Sequence, residues 1–237
     1  MTVYTPTCRL LSRSESHTGY VRRRNEDAVL DLPDAGLWAV ADGMGGHDRG
    51  DIASQAVVKA LYALGAAGAG AALVARLPAT LQRVNAELLA QARMLGDGHI
   101  IGSTLAALVL EEDNYHCFWA GDSRIYLWRD GGLRRLTRDH AEPSGGAGGE
   151  TGGGALTRAV GADELLELDY AHGYVYEEDL FLLCSDGLTK MLNDGAIADL
   201  LAEESCEDAC RALIEAALQA GGRDNVSCVV VALTVLR

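Results

Sequence analysis

Short apolar runs bounded by glycine, proline and acidic residues punctuate the first part of the chain. They predict strands over 8–14, 27–32 and 37–41. The period then changes. Ile52, Ala56, Val57, Ala60 and Leu61 recur at helical spacing over 50–64, and Leu77, Leu81, Val84, Leu88 and Leu95 do so over 73–95. An Ala/Gly stretch, 65–72, joins these two helices. Strands resume over 104–111, 115–120 and 125–129, and Asp130-Gly131-Gly132 reads as a hairpin turn into 133–136. After a glycine-rich break come strands over 166–170 and 179–184, helices over 194–203 and 207–221, and a last strand over 226–236.

Strands and helices come in blocks. That order favours an α+β fold over a doubly wound parallel sheet. Many of the strands are apolar on both faces, as expected when one face meets a second sheet and the other meets helices. The expected architecture is two sheets back to back with helices outside. The 237 residues suit one large domain or two small ones with a substantial core, and no internal repeat or linker divides them.

Composition narrows the function classes. A net charge of −14 argues against a nucleic-acid partner, which would need a basic face. The six cysteines form no Cys-x-x-Cys pair and no zinc-ribbon spacing, and several fall in apolar strands. A reducing cytoplasm is the expected compartment. No signal-peptide layout opens the sequence, and no apolar run is long enough for a bilayer, so a membrane anchor is not expected.

The chemistry is carried by acidic residues at strand ends. Asp42-Gly43-Met44-Gly45-Gly46-His47 follows the apolar run 36–41 directly, which delivers a carboxylate where rigid backbone gives way to a glycine-rich turn. Gly121-Asp122-Ser123-Arg124 and Ser185-Asp186-Gly187-Leu188 also close apolar runs, and Arg223-Asp224-Asn225-Val226 precedes one. One such Asp-Gly pair is an ordinary turn. Four in this pattern point to a divalent-metal site. Oxygen donors with no histidine or cysteine cluster suit Mg²⁺ or Mn²⁺. No Gly-x-Ser-x-Gly elbow surrounds Ser185, and no Walker motif is present.

In order, Gly19-Tyr20-Val21-Arg22-Arg23-Arg24-Asn25-Glu26-Asp27, Asp42 to His47, Gly121 to Arg124, Ser185 to Leu188 and Asp224-Asn225-Val226-Ser227 resemble the motifs of the metal-dependent type 2C serine/threonine protein phosphatases in their bacterial form. Gly102-Ser103-Thr104 and 156–161 resemble further landmarks of that family, and the likeness spans about residues 9 to 235. A second resemblance, carried by residues 17–60, is to the phosphatases that accompany type VI secretion clusters. The family resemblance implies a four-layer α-β-β-α sandwich with two central, mainly antiparallel sheets, and one catalytic domain over 1–237. It also implies two Mn²⁺ or Mg²⁺ ions, with a third in bacterial members. Asp42 would bridge two ions, Asp186 and Asp224 would complete the first site, and the Gly43 carbonyl would serve the second with Glu26 and Asp27 nearby. Asp122 with Asp186 would make the third. A metal-bridged hydroxide would attack phosphorus in line, Arg22 would clamp the phosphate, and His47 is the candidate general acid for the leaving oxygen. Phosphorylated proteins are the implied substrates, a Ser/Thr kinase the functional opponent, and a monomer the default state.

One stretch departs from that pattern. Residues 141–155 include seven glycines in fifteen positions, where family members carry a longer flap beside the site. This shortened flap bears on substrate selection and on the third metal site. Two rivals remain open: a phosphatase-fold binding or regulatory protein that has lost turnover, and an enzyme acting on small phosphate esters.

Overall fold

The computed structural model describes residues 8–45, 49–96, 98–142 and 154–235. Strands are β1 (Cys8–His17), β2 (Asp27–Leu32), β3 (Leu37–Gly45), β4 (Ile101–Ser103), β5 (Leu105–Glu111), β6 (Asn114–Ala120), β7 (Arg124–Arg129), β8 (Gly132–Arg135), β9 (Asp169–Tyr174), β10 (Leu180–Cys184) and β11 (Val226–Val235). Helices are α1 (Gly50–Ala66), α2 (Ala71–Leu95), α3 (Asp186–Thr189), α4 (Asp194–Glu203) and α5 (Cys206–Gln219). One sheet runs β1-β11-β10-β7-β8. The other runs β2-β3-β5-β6-β9, with β4 added against β3. The strand pairs of both sheets are antiparallel.

Side-chain alternation produces the layers. Along β3, Leu37, Ala39 and Ala41 face Val57, Leu61, Leu77 and Leu81 of α1 and α2. The intervening Trp38 and Val40 face Phe181, Leu183, Val229 and Val231 of the opposite sheet. Beyond that sheet, Leu182, Cys184, Cys228 and Val230 meet Ile197 of α4 and Leu213 and Ala217 of α5. A strand that buries both faces must be apolar at every position, which is why 37–41 of β3, all of β10 and 228–233 of β11 read as unbroken apolar runs. The result is the expected α-β-β-α sandwich of α+β class.

The hairpin at Asp130-Gly131 forms as expected. Arg129 pairs with Gly132, and both turn residues take positive φ (51° and 75°), the geometry of a tight two-residue turn. One strand moves. The expected 166–170 is irregular up to Leu168, and β9 begins at Asp169. Two polar side chains of α2 explain the shift. Gln82 Oε1 accepts the Leu166 N–H (3.0 Å), and Asn85 Nδ2 donates to the Asp163 carbonyl (2.7 Å). Leu166 and Leu168 pack into the helical layer. Three short elements, β4, α3 and a 3-10 turn at Pro33–Ala35, add to the expected set. Cys117, Cys184, Cys206, Cys210 and Cys228 are free thiols. Among the described residues no helix is long and apolar enough to cross a membrane.

Candidate metal centre

The two sheets meet at one end in a ring of strand termini. β3 ends there with Asp42 and Gly43, and β2 begins there just after Glu26. The β6–β7 turn carries Asp122, β10 runs into Asp186, and β11 starts just after Asp224. Asp42 is opposite Asp27 in the β2–β3 ladder. Its N–H donates to Thr104 Oγ1 (3.0 Å), and its carbonyl accepts from Thr104 N (2.8 Å) and Ser103 Oγ (3.1 Å). Thr104 Oγ1 in turn lies 2.7 Å from Ser123 Oγ, which links the Asp42 strand to the Asp122 turn. Gly43 is required here: a Cβ on it would run into the backbone carbonyls of Gly50 and Glu26.

A cavity of about 330 Å³ opens at this end. Arg22, Glu26, Asp42, Gly43, Asp122, Asp186 and Asp224 line it, and Lys190 and Asn225 line it as well. Seven of the nine sequence-named site residues are therefore gathered around one space. Asp27 stands behind it. Its Oδ2 accepts from Ser185 Oγ (2.8 Å), and Asp27 is not among the lining residues. His47 lies outside the described residues, as does most of the glycine-rich stretch at 141–155.

Five acids against two bases leave the cavity short of positive charge. Burial, reinforced by Asp27, Asp186, Asp122 and Asp224, holds the Asp42 carboxyl well above the ordinary carboxylate range. Burial and Asp186 push Asp122 up to about 7, with Lys190 pulling the other way. Burial pushes Asp27 up to about 6, opposed by hydrogen bonds from Ser227 and Ser185. Asp224 behaves oppositely: burial raises it, but Arg22 and Lys190 outweigh burial and bring it below its usual range. Arg22 grips it in two-point fashion, Nε to Oδ1 at 2.8 Å and Nη2 to Oδ2 at 3.0 Å.

The donor set fits a hard divalent cation. Every acidic donor is a carboxylate oxygen. Asp186 Oδ1, on the cavity lining, is buried with no hydrogen-bond partner, a costly condition that a cation would relieve. Among the described residues no trio of Asp, Glu, His or Cys is already drawn to coordinating distance. Asp224 and Asp186 are turned instead toward Arg22 and Lys190.

Two participants were not singled out in the sequence. Asn225 ties the site together: its Oδ1 accepts from Glu26 N (2.9 Å), and its Nδ2 donates to the carbonyls of Thr18 (2.8 Å) and Arg24 (2.9 Å). Its only sequence signal was its place beside Asp224. Lys190 Nζ sits 2.5 Å from Asp186 Oδ2 and 3.3 Å from Asp224 Oδ2. The signal for Lys190 was its position four residues after Asp186, which becomes one helical turn only if α3 forms.

The family profile described as Protein phosphatase 2C matches residues 17–227, most of the chain. The chain belongs to the protein phosphatase 2C family. Among its relatives is the serine/threonine protein phosphatase PstP of Mycobacterium tuberculosis, 35% identical over 235 residues. That match takes in 92% of this chain and 44% of PstP, so the chain spans less than half the length of that relative. The serine/threonine phosphatase Stp of Listeria innocua is 31% identical over 232 residues, covering 90% of this chain and 92% of Stp. Two solved structures superpose closely. PppA, a regulatory component of the type VI secretion system in Pseudomonas aeruginosa, has a TM-score of 0.86 and 40% identity, over 96% of this chain and 98% of PppA. The PstP catalytic domain in complex with two manganese ions has a TM-score of 0.84 and 34% identity, over 96% of this chain and all of that domain (100%). The protein phosphatase 2C fold thus accounts for both sheets and both helical layers.

Proposed function

We propose that this phosphatase-family chain hydrolyses phosphoserine and phosphothreonine in proteins, using two divalent cations, Mn²⁺ or Mg²⁺. The observation that carries the reading is the gathering of Asp42, Asp122, Asp186, Asp224 and Glu26 around one cavity with the Arg22 fork at its edge. Asp42, Asp186, Asp224 and the Gly43 carbonyl are assigned to hold the cations. Glu26 is assigned a place beside them, and its Oε1 accepts the Gly50 N–H (3.0 Å) at the start of α1. Asp27 supports from behind through Ser185. When bound, such cations make water a competent nucleophile near neutral pH and neutralise phosphoryl oxygens.

The chain's own residues supply the rest. Arg22 is half exposed, and its planar fork matches two phosphate oxygens as it now matches Asp224. It is assigned to orient the phosphate. His47 is assigned, from the sequence alone, to protonate the departing seryl or threonyl oxygen. A Ser/Thr kinase as functional opponent, a cytoplasmic setting, a monomeric state and a single domain over 1–237 belong to the same proposal, as the sequence resemblance implies, and a place near type VI secretion rests on the likeness to PppA. The rival reading, a binding protein without turnover, is disfavoured because none of the sequence-named acids is missing.

The test is a phosphothreonine-peptide assay with Mn²⁺ and with chelator, on the natural chain and on Asp42→Asn. Release of phosphate that needs the cation and disappears in the variant is expected. Unchanged turnover in Asp42→Asn overturns the proposal.

A further inference from the structure

We propose that the ammonium of Lys190 takes the place of a third cation, so that this chain binds two divalent ions and excludes another from the Asp122 side of the cavity. The inference rests on the two-cation reading above and adds to it a residue that sets metal stoichiometry.

Asp186 is the first residue of the one-turn helix α3, and the Lys190 N–H donates to the Asp186 carbonyl (2.8 Å). That turn carries the Lys190 side chain back over the Asp186 carboxylate. Asp186 then divides its two oxygens. Oδ2 is held by the ammonium at 2.5 Å, whereas Oδ1 is buried with no partner. Oδ1 is thus the oxygen that could hold a divalent cation, whereas Oδ2 is already answered by a positive charge. The same ammonium lies 3.3 Å from Asp224 Oδ2 and lines the cavity together with Asp122. Its side chain is only 31% exposed, so the charge is directed at the site, not at solvent. Asp122 lies within electrostatic reach of this ammonium.

A third ion on Asp122 and Asp186 would have to displace the ammonium from Asp186 or lie beside it. Displacement breaks two ion pairs in a partly buried space. Coexistence sets like charges at close range, where repulsion is weakly screened. A lysine at this position therefore supplies permanently, from the chain, the neutralisation that a third ion would supply.

The experiment counts ions. Full-length protein stripped with chelator is titrated with Mn²⁺ by calorimetry and by electron paramagnetic resonance. Two ions per chain are expected for the natural sequence and for Lys190→Arg, which keeps the charge. Three are expected for Lys190→Gln and for Lys190→Met, and two again for Lys190→Gln combined with Asp122→Asn. Three ions in the natural chain, or two in both neutral variants, overturn the proposal. Asp42→Asn is the separate control: if it binds as many ions as the natural chain, the two-cation reading itself falls.

Discussion

Single residues divide here into those whose chemistry is visible in the sequence and those whose role arises only by contact. Asp42 is of the first kind, because a carboxylate between an apolar strand and a glycine-rich turn has few uses. Asp42→Asn should lower Mn²⁺-dependent turnover on a phosphothreonine peptide by more than the roughly 10–100-fold that losing an outer-shell partner costs, while leaving the melting temperature similar or higher. An asparagine adds no charge to a cavity already crowded with acids. Asn225 is of the second kind. It is 5% exposed and spans 201 residues of sequence to reach Arg24. Asn225→Ala would leave the Glu26 N–H and the Thr18 and Arg24 carbonyls without this partner. A loss of about 3 kcal/mol in urea unfolding is expected at ~1–3 kcal/mol per buried group left unpaired. A loss below about 0.5 kcal/mol would mean that water replaces it freely.

At the scale of elements, local pattern was most legible where an element buries a full face. β2, α4 and the β7–β8 hairpin match their sequence reading closely because apolar period, turn glycine and cap agree. Agreement failed where a side chain from elsewhere claimed the backbone. Leu166 and Leu168 look like strand residues, yet Gln82 and Asn85 of α2 hold their neighbourhood against the helices. α3 is not legible in the sequence because four residues are too few to show a helical period. At the cavity end, β3 and α1 meet backbone to backbone at Gly43 and Gly50. Gly43→Ala should force these elements apart and cost about 1–3 kcal/mol of stability, with loss of Mn²⁺ binding measured by calorimetry. Intact metal binding in this variant would show that the site tolerates movement of α1.

For the molecule as a whole, the gathered acids oppose folding unless something neutralises them. Asp27 and Asp122 have folded-state pKa values of about 6 and about 7, above the ordinary carboxylate value near 4. Between those limits the folded chain binds more protons than the unfolded one, so metal-free stability falls as pH rises from about 4 through about 7. Mn²⁺ favours the ionised form and should reverse the trend. At 100 times its dissociation constant each bound ion should add about 2.7 kcal/mol, and the rise in melting temperature should be larger at pH 7.5 than at pH 5. Scanning fluorimetry with Mn²⁺ or chelator reads this directly; metal-free protein that gains stability from pH 5 to 7.5 would contradict it. The sequence by itself determined the layered α+β architecture and the identities of the acids, because period and residue type are local properties of a chain. Only the tertiary structure decided which oxygens face the cavity, which acid stands behind it, and that Lys190 and Arg22 meet Asp186 and Asp224. Those facts depend on side chains drawn together from strand ends far apart in sequence, and distance in space is not written in any local pattern.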